Sequence, residues 1–492
     1  MTDAKAAPNA GEARSAARPV AAWMPVVFGA MAAGMGWGIR GQYGHETGAM
    51  VAGLLFAAVM AALFLPGATT LAAARAVGFC AVAVGIGGSM TYGQTVGLTH
   101  DAALVGNDAA WAWGMVGLAV KGGIWIGFGG LFLGMGLGGV RHRASDICLL
   151  FGVGLAVFFL GVGALNEPFD PASKELPWLY FSDSWRWEPG ADLKPRREVW
   201  GGLLFALVWM VWQVGWMRRD GVAVRLCLWG VAGGAVGFPL GQSIQSWHAW
   251  NLELFRAGEF AGMDRLVNWW NMMETVFGAT WGAALGHGVW RERERIRPTP
   301  EQSGERWLKL IETPLLLLHA ALMMTGEFLS VPAVDPYVDF SLLLAWIPLL
   351  LVAGGRLGPL LVTLPLVLLP IAGKTVRRMA YETPTIDPAM GWILLLAIPM
   401  AIAFAIALRH SNRRGMEAEN SPFTRQLLIF AAWVYFGLNF AFFDFPWPWQ
   451  PWTARTPNAM IYTCCLLGLS WLAWRLPGLR RRAAGAAERP PA

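Results

Sequence analysis

Residues 113–139 read Trp113-Gly-Met-Val-Gly-Leu-Ala-Val-Lys121-Gly-Gly-Ile-Trp-Ile-Gly-Phe-Gly-Gly-Leu-Phe-Leu-Gly-Met-Gly-Leu-Gly-Gly139, with Lys121 as the single charge. A helix needs about 20 consecutive apolar residues to cross the hydrocarbon core of a bilayer. This stretch exceeds that length. Its glycines suit close backbone contact between helices in lipid.

The same pattern recurs along the chain. Apolar runs long enough to count lie near 20–39, 48–65, 71–93, 113–139, 147–165, 199–217, 222–244 and 269–290. Others lie near 312–330, 341–354, 357–372, 390–408, 426–443 and 458–475. The expected fold is all-α, a polytopic membrane protein with about fourteen transmembrane helices. The two short, proline-rich runs at 341–354 and 357–372 are the weakest of the set.

Composition agrees. Of 492 residues, 55% are hydrophobic and 14% are charged, and the charges cluster between apolar runs. Soluble domains carry nearer ~25% charge. The net charge of +6 does not argue for nucleic acid, because the excess falls in short loops on one side. The Ala-rich tail, residues 1–19, is expected to be disordered and cytoplasmic. The apolar run after it is too long for a signal-peptide core.

Lys and Arg fall in alternate loops. One set holds Arg141 and Arg143; Arg218, Arg219 and Arg225; the run Arg291 to Arg297; Arg356; Arg409, Arg413 and Arg414; and Arg475 with Arg480 to Arg482. Segments 94–112 and 331–340, of the other set, have no Lys or Arg. The positive-inside rule places the first set, and both termini, in the cytoplasm of a plasma or inner membrane. Two outer loops dissent. One carries Lys374, Arg377 and Arg378. The other, 166–198, holds seven carboxylates against five basic groups, and long loops obey the rule weakly.

Four stretches resemble one another: Glu46-Thr-Gly-Ala-Met-Val-Ala-Gly, Lys121-Gly-Gly-Ile-Trp-Ile-Gly, Glu198-Val-Trp-Gly-Gly-Leu-Leu and Glu274-Thr-Val-Phe-Gly-Ala-Thr-Trp-Gly. Their anchors are spaced by 75, 77 and 76 residues, and each interval holds two spans. Such units share one orientation, related by an axis along the membrane normal. Residues 20–290 are therefore expected to form a Gly-rich domain of four parallel two-helix repeats. A cytoplasmic linker follows at 291–311, then a six-helix bundle at 312–475 and a cytoplasmic tail at 476–492.

The repeat gathers polar groups at its outer ends. Arg40-Gly-Gln42-Tyr-Gly-His45-Glu46 joins two spans with almost no loop, which suggests unwound backbone buried in protein or lining a wet cavity. Gln94 and Gln242 end equivalent helices. Glu46 and Glu198 are also explained by the helix dipole, which favours a carboxylate at an N-terminus. Lys121 has no such explanation. It lies up to about 15 Å along its helix, where a lysine costs roughly 3 kcal/mol unless partnered or hydrated. Glu46 and Glu274 are its repeat-equivalent candidate partners. The candidate binding residues are Arg40, Gln42, His45, Glu46, Gln94, Lys121, Gln242 and Glu274. Trp178, Tyr180, Trp185, Trp187, Trp247, Trp250, Trp269, Trp270, Trp447, Trp449 and Trp452 suit an interfacial belt. His319, Asn439 and Asp444 suit helix–helix contacts.

Other motifs fail. Gly36-x-Gly38-x-x-Gly41 and Gly134-x-Gly136-x-x-Gly139 have no preceding strand, so they are not dinucleotide sites. Gly373-Lys374-Thr375 lacks the upstream glycine of a phosphate loop. Cys80, Cys148, Cys227, Cys464 and Cys465 sit in apolar runs, and none shows CxxC spacing. No metal and no cofactor is expected. The expected partners are the lipid bilayer and a small polar solute, without nucleic acid.

Two functions fit. A transporter or permease explains parallel repeats, broken backbone and buried opposite charges, with Glu274 or Glu46 available to couple protons. A membrane-embedded transferase or hydrolase on a lipid-linked or sugar substrate would use Arg40, His45 and Glu46 for charge binding and base catalysis. Transport predicts a polar path to the cytoplasmic side. An enzyme predicts a pocket open on one side only.

Overall fold

The computed structural model describes residues 20–182, 185–189, 194–299 and 306–487. The expected disordered tail, 1–19, lies outside them. Among the described residues the chain is helical, without a β-strand. The first part holds α1 (Trp23–Arg40), α2 (Glu46–Phe64), α3 (Thr70–Ile86), the short α4 (Gly93–His100), α5 (Asp108–Leu137), α6 (Ala144–Leu165), α7 (Trp200–Trp212), α8 (Gly221–Trp250), α9 (Leu252–Arg256) and α10 (Trp269–Arg291). The second holds α11 (Arg306–Phe328), α12 (Asp335–Asp339), α13 (Ser341–Gly354), α14 (Gly358–Thr363), α15 (Pro365–Arg377), α16 (Pro388–Gly391), α17 (Ile398–Ser411), α18 (Arg413–Glu417), α19 (Ser421–Phe442) and α20 (Thr456–Ala487).

Each of the fourteen apolar runs falls on a helix. Eleven helices among the described residues are long and apolar enough to cross a membrane, and α13 is a shorter apolar one. In that set α14 and α15 join into one element, Gly358–Glu382, and α16 and α17 into another, Pro388–Ser411. The helices α1 and α10 have the length, but polar groups such as Arg40, Asn271 and Glu274 keep them outside it. These two helices carry the site described below.

Six helices close a ring, each packed on the next in the order α1, α2, α3, α5, α8, α10 and back to α1. The pair α6–α7 stands outside it, against α5 and α13. Of the four helix pairs in chain order, α1–α2, α3–α5 and α8–α10 make the ring, and α6–α7 flanks it. Helices α6 to α8 leave Phe159, Leu160, Val208, Trp212, Leu228 and Val236 exposed, a surface suited to lipid chains. The second part packs on the ring's α1–α3 side through α13 and α14 on α3, α15 and α19 on α2, and α20 on α1. Consequently α2 and α3 are buried along nearly their whole length.

Two seams of the ring rest on glycine. A Cβ on Gly234 would lie 2.0 Å from the Gly122 carbonyl oxygen, where α8 crosses α5. A Cβ on Gly282 would lie 2.4 Å from the Gly29 carbonyl oxygen, where α10 crosses α1. Backbones this close give large dispersion contact without a hydrophobic driving force, as lipid-embedded helices require. Local signals set the helix starts. Asn107, Asp220 and Asn268 accept from the backbone N–H of Ala110, Ala223 and Asn271 at 3.0, 3.0 and 2.8 Å, occupying otherwise unpaired donors.

The two ends of the ring differ. At one, Arg218 meets Asp146 at 3.1 Å, Glu292 holds Arg225 and Arg295 at 2.7 and 3.0 Å, and buried His142 meets Asp220 at 3.0 Å. Residues 292–299 of the expected linker are bound here, with Arg297 N–H donating to the Leu137 carbonyl. Residues 300–305 lie outside the described residues. At the other end sit the turn 41–45, the break between α3 and α4, and the described residues of the segment 166–198.

Candidate functional site

The turn after α1 is tight because Gly44 takes φ +88°, a left-handed conformation that glycine adopts without strain. It brings Arg40, at the end of α1, beside Glu274, in the second turn of α10. Arg40 Nη2 lies 3.1 Å from Glu274 Oε1, and both residues are 1% exposed. The break after α3 supplies the third member. Helix α3 ends at Ile86, and Gly87 and Gly88 pass so close to Trp125 and to the His45–Glu46 peptide that a Cβ on either would clash. The chain then turns, and Tyr92 enters the ring. Its hydroxyl accepts from Arg40 Nη2 at 2.5 Å and donates to Glu274 Oε1 at 3.4 Å. His45 Nδ1 lies 3.4 Å from Arg40 Nη1, and its ring meets the edge of Tyr92 at 5.0 Å.

The pair retains open valences. Arg40 Nε has no hydrogen-bond partner among the described residues. Glu274 Oε2 has none either, although Trp270 and Asn271 stand beside the carboxylate. A Cβ on Gly41 would lie 2.4 Å from that oxygen, and Gly41 is exposed. Glu274 Oε2 therefore lies directly beneath the surface, screened by a residue with no side chain. Gln42 Oε1 is also buried and has no partner among the described residues.

Beneath Arg40 the ring is filled with aromatic side chains. The guanidinium carbon stands 4.8, 5.4 and 5.3 Å from the ring centroids of Trp37, Tyr92 and Trp125, a favourable placement for a cation held away from water. Trp37 packs edge-on to Trp125, Phe277 and Trp281 at 5.0, 4.6 and 6.0 Å, and Trp281 meets Phe56 at 5.2 Å. The indole N–H groups of Trp37 and Trp281 are buried without partners among the described residues. By position they lie about one and two turns further in than the ion pair.

Lys121 is placed differently. Its ammonium donates to Glu198 Oε1 at 2.6 Å, Thr95 Oγ1 at 2.7 Å and the Thr91 carbonyl at 2.5 Å, so all three donors are occupied. The partner is neither Glu46 nor Glu274 but Glu198, the remaining anchor of the repeat. The flanking position of α6–α7 explains this: residue 198 leads into α7 and reaches α5 from outside the ring. Glu198 also accepts from Ser182 Oγ, the Phe181 N–H and Trp200 Nε1, at 2.8, 2.9 and 3.2 Å. The pair is saturated, and it fastens Phe181 and Ser182 to the ring.

Gln94 does the same work. Its amide donates to the Lys194 carbonyl and accepts from the Arg196 N–H, at 2.9 and 3.0 Å. Gln242 donates to Thr99 Oγ1 at 2.7 Å, which joins α8 to α4. Within the loop, Asp170 accepts from Ser173 Oγ and from the Ala172 N–H, which holds its carboxyl below the ordinary aspartate range. The structure thus gathers Arg40, His45 and Glu274, with Gln42 and Glu46 at the rim, and disperses Gln94, Lys121 and Gln242.

The second part closes the same end. Lys374 donates to the Tyr43 carbonyl and Thr47 Oγ1, at 2.8 and 3.2 Å, and stands 3.6 Å from Glu327. Arg377 pairs with the other Glu327 oxygen at 2.7 Å. Two of the loop's three dissenting cations are thus held on a buried acid. On the far side, Asn271 donates to the Gly38 carbonyl at 2.7 Å and accepts from Tyr462 of α20 at 3.1 Å.

Tyr92, Trp37 and Trp281 were not among the sequence candidates. Their signal is faint: Gly87-Gly-Ser-Met-Thr-Tyr-Gly93 interrupts an apolar run with small and polar residues. In comparisons with protein-family models, curated proteins and solved structures, nothing matches the chain.

Proposed function

We propose that the protein is a membrane transporter or permease for a small polar solute, with its site at the Arg40–Tyr92–Glu274 cluster. In this reading fourteen helices span a plasma or inner membrane and both termini are cytoplasmic. The first eight spans form two-helix units of one orientation, and the Arg40 end faces outward. The observation that carries the reading is a buried pair of opposite charges inside a helix ring, with an atom on each partner that has no hydrogen-bond partner among the described residues. Intramembrane ionisable groups that face a bundle interior commonly mark a solute or ion path. The indole N–H groups of Trp37 and Trp281 continue the series of polar atoms inward. The aromatic cluster around them would close the ring in this conformation and part during transport.

A second reading keeps support from that same cluster. An apolar floor beneath Arg40 describes a pocket open on one side, as a membrane-embedded transferase or hydrolase requires, and exposed His45 would serve as its base. Proteoliposomes separate the two. Swelling rates under gradients of glycerol, glucose, glycine and lactate should rise for one solute class, and Arg40→Gln should lower that rate by about tenfold or more, the loss of one charged contact. If no solute of the panel crosses any faster than in protein-free vesicles, the transporter reading falls.

Sidedness has its own test. A reporter inserted after Glu175 should sit outside, and one at Arg293 in the cytoplasm. Finding both on one side would overturn the orientation and the span count between them.

A further inference from the structure

The ion pair beneath Gly41 has a property that a purely structural pair lacks. Each partner is buried, yet each keeps one atom free, and the free carboxylate oxygen lies under the surface. A saturated pair in the same protein, Lys121–Glu198, shows what a structural one looks like.

The titratable and charged groups facing Arg40 or Glu274 are few. Arg40 comes from α1, His45 from the turn and Glu46 from α2. Tyr92 comes from the break after α3, and Arg455 and Tyr462 from α20 and the segment before it. Helix α8 has no charged side chain between Arg225 and His248, and His248 is tied to Asp264 at 2.6 Å.

Charge balance then restricts what the site can accept. The guanidinium and carboxylate sum to zero. An anion arriving alone at Arg40 would leave a net negative charge in a buried, aromatic-walled site. A proton arriving alone would leave a net positive one. Either is costly away from water. Together they add nothing.

Resting on the transporter reading for its biological setting, we propose that Glu274 and Arg40 form an exchangeable pair, in which a proton on Glu274 Oε2 frees the guanidinium to hold the carboxylate of a small monoanionic solute. A hydronium ion of the solvent at the Gly41 mouth gives up its proton, leaving water, and the O–H bond forms at Oε2. The solute carboxylate replaces that of Glu274 as the counter-charge of Arg40. Neutral Glu274 keeps Oε1 as an acceptor for Tyr92. The guanidinium fork matches a carboxylate in geometry, and the faces of Trp37, Trp125 and Tyr92 suit an apolar tail on it. Since each ligand makes room for the other's charge, their affinities are linked and the linkage is reciprocal.

The test uses the full-length protein in detergent, with benzoate as probe and glycerol and choline as controls. Binding is read as a shift in melting temperature between about pH 6 and 8, where a carboxylate solute stays ionised. One proton per anion predicts that apparent Kd falls about tenfold for each pH unit downward. Glu274→Gln, which is permanently neutral, should bind benzoate with no pH dependence. Arg40→Gln with Glu274→Gln removes both charges, should melt normally and should not bind. Flat pH dependence in the wild type would overturn the proposal. So would choline binding that strengthens as pH rises, because a cation would then be taking Glu274.

Vesicles carrying a lumenal pH dye supply the second arm. Lactate-dependent acidification above the protein-free rate is expected. The tenfold slope without flux would keep the exchangeable pair and reject transport. Flux without the slope would keep transport and reject the pair.

Discussion

Lys121→Met should be among the most damaging single substitutions in the chain. The methionine fits the space but leaves Glu198 buried, 1% exposed, without its counter-ion. Breaking a buried pair in this way costs roughly 3–5 kcal/mol. Thr95 Oγ1 and the Thr91 carbonyl lose their donor in the same step. Since Glu198 also holds Phe181 and Ser182, the damage should spread into the loop 166–198. The expected result is low yield and a melting transition lowered by many degrees. Adding Glu198→Gln should restore much of the loss, because the amide oxygen can still accept from the Phe181 N–H while the amide NH2 donates to the Ser182 hydroxyl oxygen, without an uncompensated charge. Activity should return with the fold, since the pair has no valence left for a solute. Recovery of melting without activity would place Lys121 in the site after all. Normal yield from Lys121→Met alone would show that the lysine contributes little where it lies.

Gly234→Ala should be nearly as severe, through backbone geometry. The new methyl would lie 2.0 Å from the Gly122 carbonyl oxygen and 2.6 Å from its carbon. Neither belongs to a side chain that can rotate away, so α8 and α5 must separate or tilt. Overpacking of this kind typically costs about 1–3 kcal/mol. The ring makes the effect larger, because moving α8 also moves the α10 seam that positions Glu274. Gly152→Ala on α6 is the control, with no atom within 4 Å of the added carbon. It should melt as the wild type does or slightly higher, given alanine's better helix propensity, by about 1 kcal/mol at most. Equal effects at the two glycines would remove the close α5–α8 crossing from the account.

The helices were legible because apolar length is a local property. Every expected run fell on one, including the proline-rich pair, where α13 is short and α14–α15 bend at Pro365. Arg40 and Glu274 were legible for an energetic reason: a charge inside an apolar run needs a partner wherever the chain finds one. Which partner was not legible. Equal spacing of the anchors made Glu46 and Glu274 look equivalent for Lys121. The arrangement that brings Glu198 instead depends on α6–α7 lying outside the ring, and no periodicity in one chain reports that. Tyr92 escaped notice because a neutral aromatic near a helix end reads as part of an interfacial belt. Lys374 stood out only as an exception to charge asymmetry. Its reason is a contact with a turn 331 residues earlier.

That contact sets an order in time. A chain inserted from its N-terminus completes α1 to α10, and with them every member of the Arg40 cluster, while residue 374 is still unmade. Until then the Tyr43 carbonyl and the Thr47 hydroxyl lack the ammonium that later joins them, and Tyr43 lacks Thr375. The newborn ring is thus a precursor whose mouth is sealed from one side only by the last third of synthesis. Maturation is coupled to arrival of the C-terminal helices, and a polypeptide released early would carry Arg40, Tyr92 and Glu274 in an unfinished cradle.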